Sequence, residues 1–201
     1  MAIEHKNIAD PNIHPPKGFG GAATDSFLTK NGLGEVVWAV PSGSALGQLN
    51  ITGNNTARSI AAAIDPNLQT DADYIKMSGI GFPWSSSFLS KVSFDIDQFQ
   101  IQVPGHYRLD FWSSLRVAIN NRFVGVRFAR NGVLAPQRLI TRSTEAADIR
   151  NIAASAIIDN LEIGDTISLW VAANAATDIT LQDAGFSLTL LKHLYDSGAP
   201  S

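Results

Sequence analysis

Cysteine is absent from the 201 residues. Disulfides, thiolate nucleophiles and Cys-ligated zinc are thereby excluded. Charge is also scarce, at 16% of residues against about 25% in an average soluble chain. Such a shortfall indicates a heavily buried chain or surfaces covered by other subunits. The formal net charge of -3 argues against a dedicated nucleic-acid binder and calls for no membrane-surface partner. Met1 to Asp10 contains no apolar core of signal-peptide length, and no run approaches the roughly 18 apolar residues of a membrane span. The expectation is synthesis in a cytoplasm without Sec export. Stretches of helix-forming composition are few. Thr56 to Ile64 is one, and Pro66 stops it.

Hydrophobic residues make up 45% of the chain, enough for a sizeable core. The length suits one domain with an arm, or one elaborated β-sandwich. Residues 1–34 are polar and punctuated by Pro11, Pro15, Pro16, Gly18, Gly20, Gly21, Gly32 and Gly34. Prolines so closely spaced forbid a regular helix. With large side chains scattered as Ile3, Ile8, Ile13 and Phe19, the segment cannot bury a core alone. It reads as an arm that orders against a partner. Residues 35–79 read as an irregular connecting segment with one short apolar run, Val36 to Val40.

From about residue 74 the pattern is β. Phe99, Ile101, Val103, Tyr107, Leu109 and Phe111 share one parity, while Gln100, Gln102, Arg108 and Asp110 hold the other. Upstream, Val92, Phe94 and Ile96 lie on even positions, so a bulge or bend is predicted at Asp97-Gln98. Val124, Val126 and Phe128 alternate up to Asn131-Gly132, a strong hairpin signal. Ala154 to Ile158, Thr166 to Ala172 and Phe186 to Leu190 complete a set of short strands with frequent turns. An all-β sandwich follows, occupying residues 80–201.

Reaction chemistry finds little support. His5, His14, His106 and His193 show no metal-ligand spacing. Asp71/Asp73 and Asp95/Asp97 are period-2 carboxylate pairs, but both lie beside turns, where Asp favours local backbone hydrogen bonds. Bound Ca²⁺ or acid catalysis are the other readings of these pairs. No Gly-x-Ser-x-Gly elbow or phosphate loop appears. No catalytic residue, metal or cofactor is therefore expected. Eight of the nine arginines fall between Arg108 and Arg150, against three acids, a local balance of +5. They suit an acidic partner or a neighbouring subunit, or simply a solvated strand face. The aromatic interleaving of a nucleic-acid stacking platform is missing. Trp112 has the parity of Arg108 and Asp110, opposite Phe111, and Trp170 lies opposite Leu169 and Val171. Large aromatics on outward positions point to a subunit interface; cover by the chain's own loops and glycan stacking are the alternatives.

Four stretches in order resemble the jelly-roll domains of the tumour necrosis factor and complement globular-head superfamily. They are residues 99–111 with Pro104-Gly105-His106-Tyr107, residues 126–132, residues 161–169 with Gly164-Asp165, and residues 185–191. The resemblance covers roughly residues 80 to 195 and implies a jelly-roll β-sandwich that associates as a homotrimer; outward parity then makes Trp112, Trp170, Arg108 and Asp110 the expected interface. The N-terminus, Glu4 to Ile8 with His14 to Gly18, is similar to the start of tailed-phage capsid decoration and head fibre proteins. That likeness implies a capsid-anchoring arm through His5, Lys6, Asn7, Ile8, His14, Pro15, Pro16 and Lys17. It also implies the major capsid protein as partner and the virion's capsid surface as location, with synthesis in the host cytoplasm. The alternative is a receptor-binding tail fibre or tip protein that recognises host surface glycan.

Overall fold

The computed structural model describes residues 27–30, 36–39, 46–95 and 97–193. The chain divides into two units at Pro41/Ser42. In the first, β1 (Phe27–Lys30) and β2 (Val36–Ala39) form an antiparallel hairpin, with Phe27 opposite Ala39 and Lys30 opposite Val36. This hairpin straddles residue 34, the expected end of the arm.

The second unit, Ser42–Ser197, is all-β. Its strands are β3 (Leu46–Ile51), β4 (Arg58–Ile60), β5 (Ile75–Lys76), β6 (Ser85–Ser90), β7 (Val92–Asp95) and β8 (Gln98–Ile101). They continue as β9 (Gly105–Val117), β10 (Phe123–Arg130), β11 (Val133–Leu134), β12 (Leu139–Arg142), β13 (Ile149–Leu161), β14 (Thr166–Ala173) and β15 (Thr177–His193). One sheet has the order β13-β9-β15-β3-β6, with β4 also on β15. The other has β11-β10-β14-β8-β7, with β12 also on β10 and β5 on β14. From β8 onward the chain passes back and forth between the sheets, so most neighbours in a sheet are not neighbours in sequence. Such crossing of antiparallel strands between two packed sheets makes the fold a jelly-roll β-sandwich.

Parity builds the core. Tyr107, Leu109, Phe111, Leu115 and Val117 of β9 face inward, as do Ile167, Leu169 and Val171 of β14 and Phe186, Leu188 and Leu190 of β15; all are buried. Phe99 and Phe186 join the two sheets with ring centroids 4.8 Å apart. Burial pushes the Tyr107 phenol far above its ordinary range, and its hydroxyl donates to the Val103 carbonyl at 2.6 Å.

The bend predicted at Asp97-Gln98 is the turn between β7 and β8, where Asp95 pairs with Gln98 and Asp97 has φ of 64°. Asn131 and Gly132 form a two-residue turn with φ of 52° and 78°, flanked by the pair Arg130 and Val133. Two sequence expectations are corrected. Residues 35–79 are not merely connecting: β3 pairs with β15 from Ala184 to Thr189, and β4 and β5 add to either sheet. The sandwich therefore begins at Leu46, upstream of residue 80. Within the helix-compatible stretch, Arg58–Ile60 is strand β4, because its backbone completes the ladder of β15. Tertiary pairing outweighs a weak local propensity there.

Asp165 ties the Asn-Gly hairpin to the start of β14. Its carboxylate accepts from Arg130 Nη2 at 2.6 Å, Asn131 Nδ2 at 2.6 Å and the Glu162 N–H at 2.8 Å. Burial alone would raise its pKa. The Glu162 N–H, the Asn131 amide and the Arg130 guanidinium outweigh that and hold it below the ordinary carboxylate value. A carboxylate depressed in the folded state stabilises above its unfolded pKa, and that contribution is lost as pH falls through the folded value. Chemical unfolding between about pH 5 and pH 2 should show wild-type stability falling more steeply than that of Asp165→Asn.

Candidate functional site

The outer face of the first sheet offers the strongest candidate surface. Alternation on β9 turns His106, Arg108, Asp110, Trp112, Ser114 and Arg116 outward, away from the core. Antiparallel register sets Trp112 between Ala153 of β13 and Gly185 of β15. A Cβ added to Gly185 would stand 2.2 Å from Trp112 Nε1, so the indole lies directly over that glycine. The residue remains 48% exposed.

Several charged groups on this face pair with one another. Arg108 Nε donates to Asp110 Oδ2 at 2.8 Å, and Ser155 Oγ donates to Asp110 Oδ1 at 2.7 Å. Ser114 Oγ donates to Asn151 Oδ1 at 3.0 Å, and His106 Nδ1 lies 2.8 Å from Asp159 Oδ1. The residues between are small, namely Ala153, Ser155 and Ser187, so the surface is low. From it rise Trp112, Ile149 at 51% exposure and Ile157 at 65%. Among the described residues β13 pairs only with β9, which leaves its other edge open over much of its 13 residues. Behind that edge Ala154 and Ala156 are too short to fill the sandwich. A cavity of about 170 Å³ opens there against Leu109, Phe111, Val126 and Phe128.

The structure brings Trp112, Arg108 and Asp110 together and separates Trp170 from them. Trp170 belongs to the other sheet and faces outward on its far side. It is half-buried against the cluster of Leu68, Tyr74 and Ala172, and its Nε1 donates to Ser168 Oγ at 2.9 Å. The chain's own 63–76 segment covers it, as in the own-loop reading of the three open for this residue. One flat interface cannot include both indoles. His5, Lys6, Asn7, Ile8, His14, Pro15, Pro16 and Lys17 lie outside the described residues.

The carboxylate pairs do not converge on a cleft. Asp71 binds Arg127 Nη1 at 2.5 Å, while Asp73 accepts from the N–H groups of Ile64 and Asp65. Asp97 accepts from the Gly79 N–H at 3.0 Å. No cluster of three potential metal ligands occurs among the described residues.

Sequence reasoning missed Arg127. Only 6% of its side chain is exposed, whereas its partner Asp71 is 65% exposed. The guanidinium also donates to the Ala135 carbonyl at 2.6 Å and lies 5.1 Å from the Tyr74 ring centroid. It fastens the 63–76 segment over the second sheet. Parity placed Arg127 outward with the other arginines, and only the crossing segment above it makes it buried. Asn54 was missed for the same reason: its amide donates to the carbonyls of Gly81 and Leu181, both at 3.1 Å.

No family model matches the chain, and no curated protein matches it either. Among solved structures, the chain is similar to murine APRIL at pH 5.0, with 15% identity, a TM-score of 0.48, and coverage of 73% of this chain and 99% of that one. It is also similar to the globular domain of zebrafish complement 1qA protein, with 13% identity, a TM-score of 0.48, and coverage of 74% and 98% respectively.

The seat of Trp112 can be tested directly. Gly185→Ala should lift the indole off the sheet, because a flexible side chain yields before the backbone does. Acrylamide quenching of tryptophan fluorescence should rise in Gly185→Ala, and the same substitution in a Trp112→Phe background should leave quenching unchanged.

Proposed function

We propose that this chain is a structural bacteriophage virion protein, a capsid decoration or head fibre protein that binds the capsid as a homotrimer. The observation that carries the assembly part is the β9–β13 surface: Ile149, Trp112 and Ile157 rise from a low face beside an open strand edge. Open apolar edges are sites of pairing and aggregation unless covered. Exposed aromatics and aliphatics over such a face suit a subunit interface. A three-fold ring needs a heterologous contact, in which one patch of each copy meets a different patch of the next. Here the face of β9 and the edge of β13 adjoin, supplying two such patches side by side.

The virion part rests on the resemblance at Glu4 to Ile8 and His14 to Gly18. In this reading the arm grips the major capsid protein and the sandwich projects from the capsid surface. Binding only to the assembled shell stabilises that shell by mass action. Three arms on one trimer raise its avidity. The role is mechanical and assigns no reaction to the chain.

Sedimentation equilibrium of the purified protein should give three times the chain mass, and Trp112→Asp with Ile157→Asp should reduce it to one. A wild-type monomer, or a dimer made by pairing two β13 edges, would count against the three-fold arrangement. Deleting residues 2–20 should abolish binding to capsids that lack the protein while leaving the oligomer intact. Undiminished binding would remove the arm from the proposal.

A further inference from the structure

The second sheet carries a further surface, adjoining the β13 edge through Arg138, which also borders the cavity behind that edge. β12 runs antiparallel to the first half of β10, with Arg142 opposite Phe123 and Ile140 opposite Gly125. Strand alternation puts Ile140 and Arg142 on one side, and Arg138, just before the strand, borders the same groove as Ile140. Phe123 is 38% exposed and Ile140 47%. Beside them, the Asp65 carboxylate accepts the N–H groups of Asn67 and Gln69, which curls the chain into a turn and presents both amide side chains. Asn67, Gln69, Phe123, Arg138 and Ile140, with Pro66, border a groove of about 240 Å³.

Four arginines between Arg108 and Arg150 are neutralised within the fold: Arg108 by Asp110, Arg127 by Asp71, Arg130 by Asp165 and Arg150 by Asp148. Arg138 and Arg142 have no carboxylate at ion-pair distance among the described residues. Arg138 Nη1 donates to the Asn67 carbonyl. Arg142 Nη2 donates to Asn121 Oδ1 at 3.0 Å while its guanidinium lies 5.4 Å from the Phe123 ring centroid. The Asp65 carboxylate accepts the Asn67 and Gln69 N–H groups and feels the charge of Arg138 without forming an ion pair with it.

We propose that this groove binds an acidic saccharide, a chain of uronic-acid units. Arg138 and Arg142 are four residues apart on an extended segment, about 13 Å. That spacing fits repeated carboxylates along a polymer better than one small anion. Arginine meets a carboxylate with two parallel hydrogen bonds. Phe123 and Ile140 supply apolar walls for the C–H faces of a sugar, and Asn67 and Gln69 supply donors and acceptors for its hydroxyls. A nucleic acid fits less well. Base stacking needs open aromatic faces, and one face of the single groove aromatic, Phe123, is covered by Arg142.

Isothermal titration of the full chain with hexagalacturonate tests this, with its methyl ester, neutral dextran and an oligothymidylate as comparators. Hexagalacturonate should bind, and the affinity should fall at least about tenfold in Arg138→Gln and in Arg142→Gln. The methyl ester and dextran should not compete. Phe123→Ala should weaken binding without changing its salt dependence. The doubly substituted Trp112→Asp, Ile157→Asp chain should still bind, since neither residue borders the groove. Absence of hexagalacturonate binding, unchanged affinity in both arginine variants, or tighter binding of oligothymidylate than of hexagalacturonate would overturn the proposal.

Discussion

A strand turns successive side chains to opposite faces, and in β9 this alternation does two jobs at once. Tyr107, Leu109, Phe111 and Leu115 close the core against the second sheet. Arg108, Asp110 and Trp112, interleaved with them, make the outer face. A one-residue slip against β15 would exchange the two sets and expose the core. The register from Gly105 to Val117 therefore determines both the stability of the sandwich and the chemistry of its surface. Phe99 packed on Phe186 locks the sheets together in that register.

Where neighbouring residues decide the outcome, the sequence was legible. Alternation in residues 99–111, the Asn131-Gly132 turn, and the outward parity of Trp112 beside Arg108 and Asp110 are local facts, and the structure contains each of them. Features created by distant segments were not legible. β3 reads as irregular because Gly47, Gln48 and Asn50 dilute its apolar residues; its strand character comes from β15, more than a hundred positions away. Arg58–Ile60 is extended for the same reason.

The two indoles illustrate the same limit. Both have outward parity, yet Trp112 rests on Gly185 in the open while Trp170 lies beneath Leu68 and Tyr74. Parity tells which face a residue takes; it does not tell what crosses above that face. Arg127, Arg138 and Arg142 diverge in the same manner. One is sealed beneath the 63–76 segment with Asp71 as partner; Arg138 donates to the Asn67 carbonyl and Arg142 to Asn121, neither with a carboxylate at ion-pair distance among the described residues.

The place of β15 also governs how the molecule is made. It sits between β9 and β3 at the middle of its sheet, yet it is the last strand of the sandwich to be synthesised. At ordinary translation speeds β3 emerges on the order of ten seconds before its partner. Through that interval β3 has β6 and β9 has β13 as sheet neighbours, while the place between β3 and β9 stays unfilled. The sandwich should therefore complete its first sheet only after residues 177–193 clear the exit tunnel.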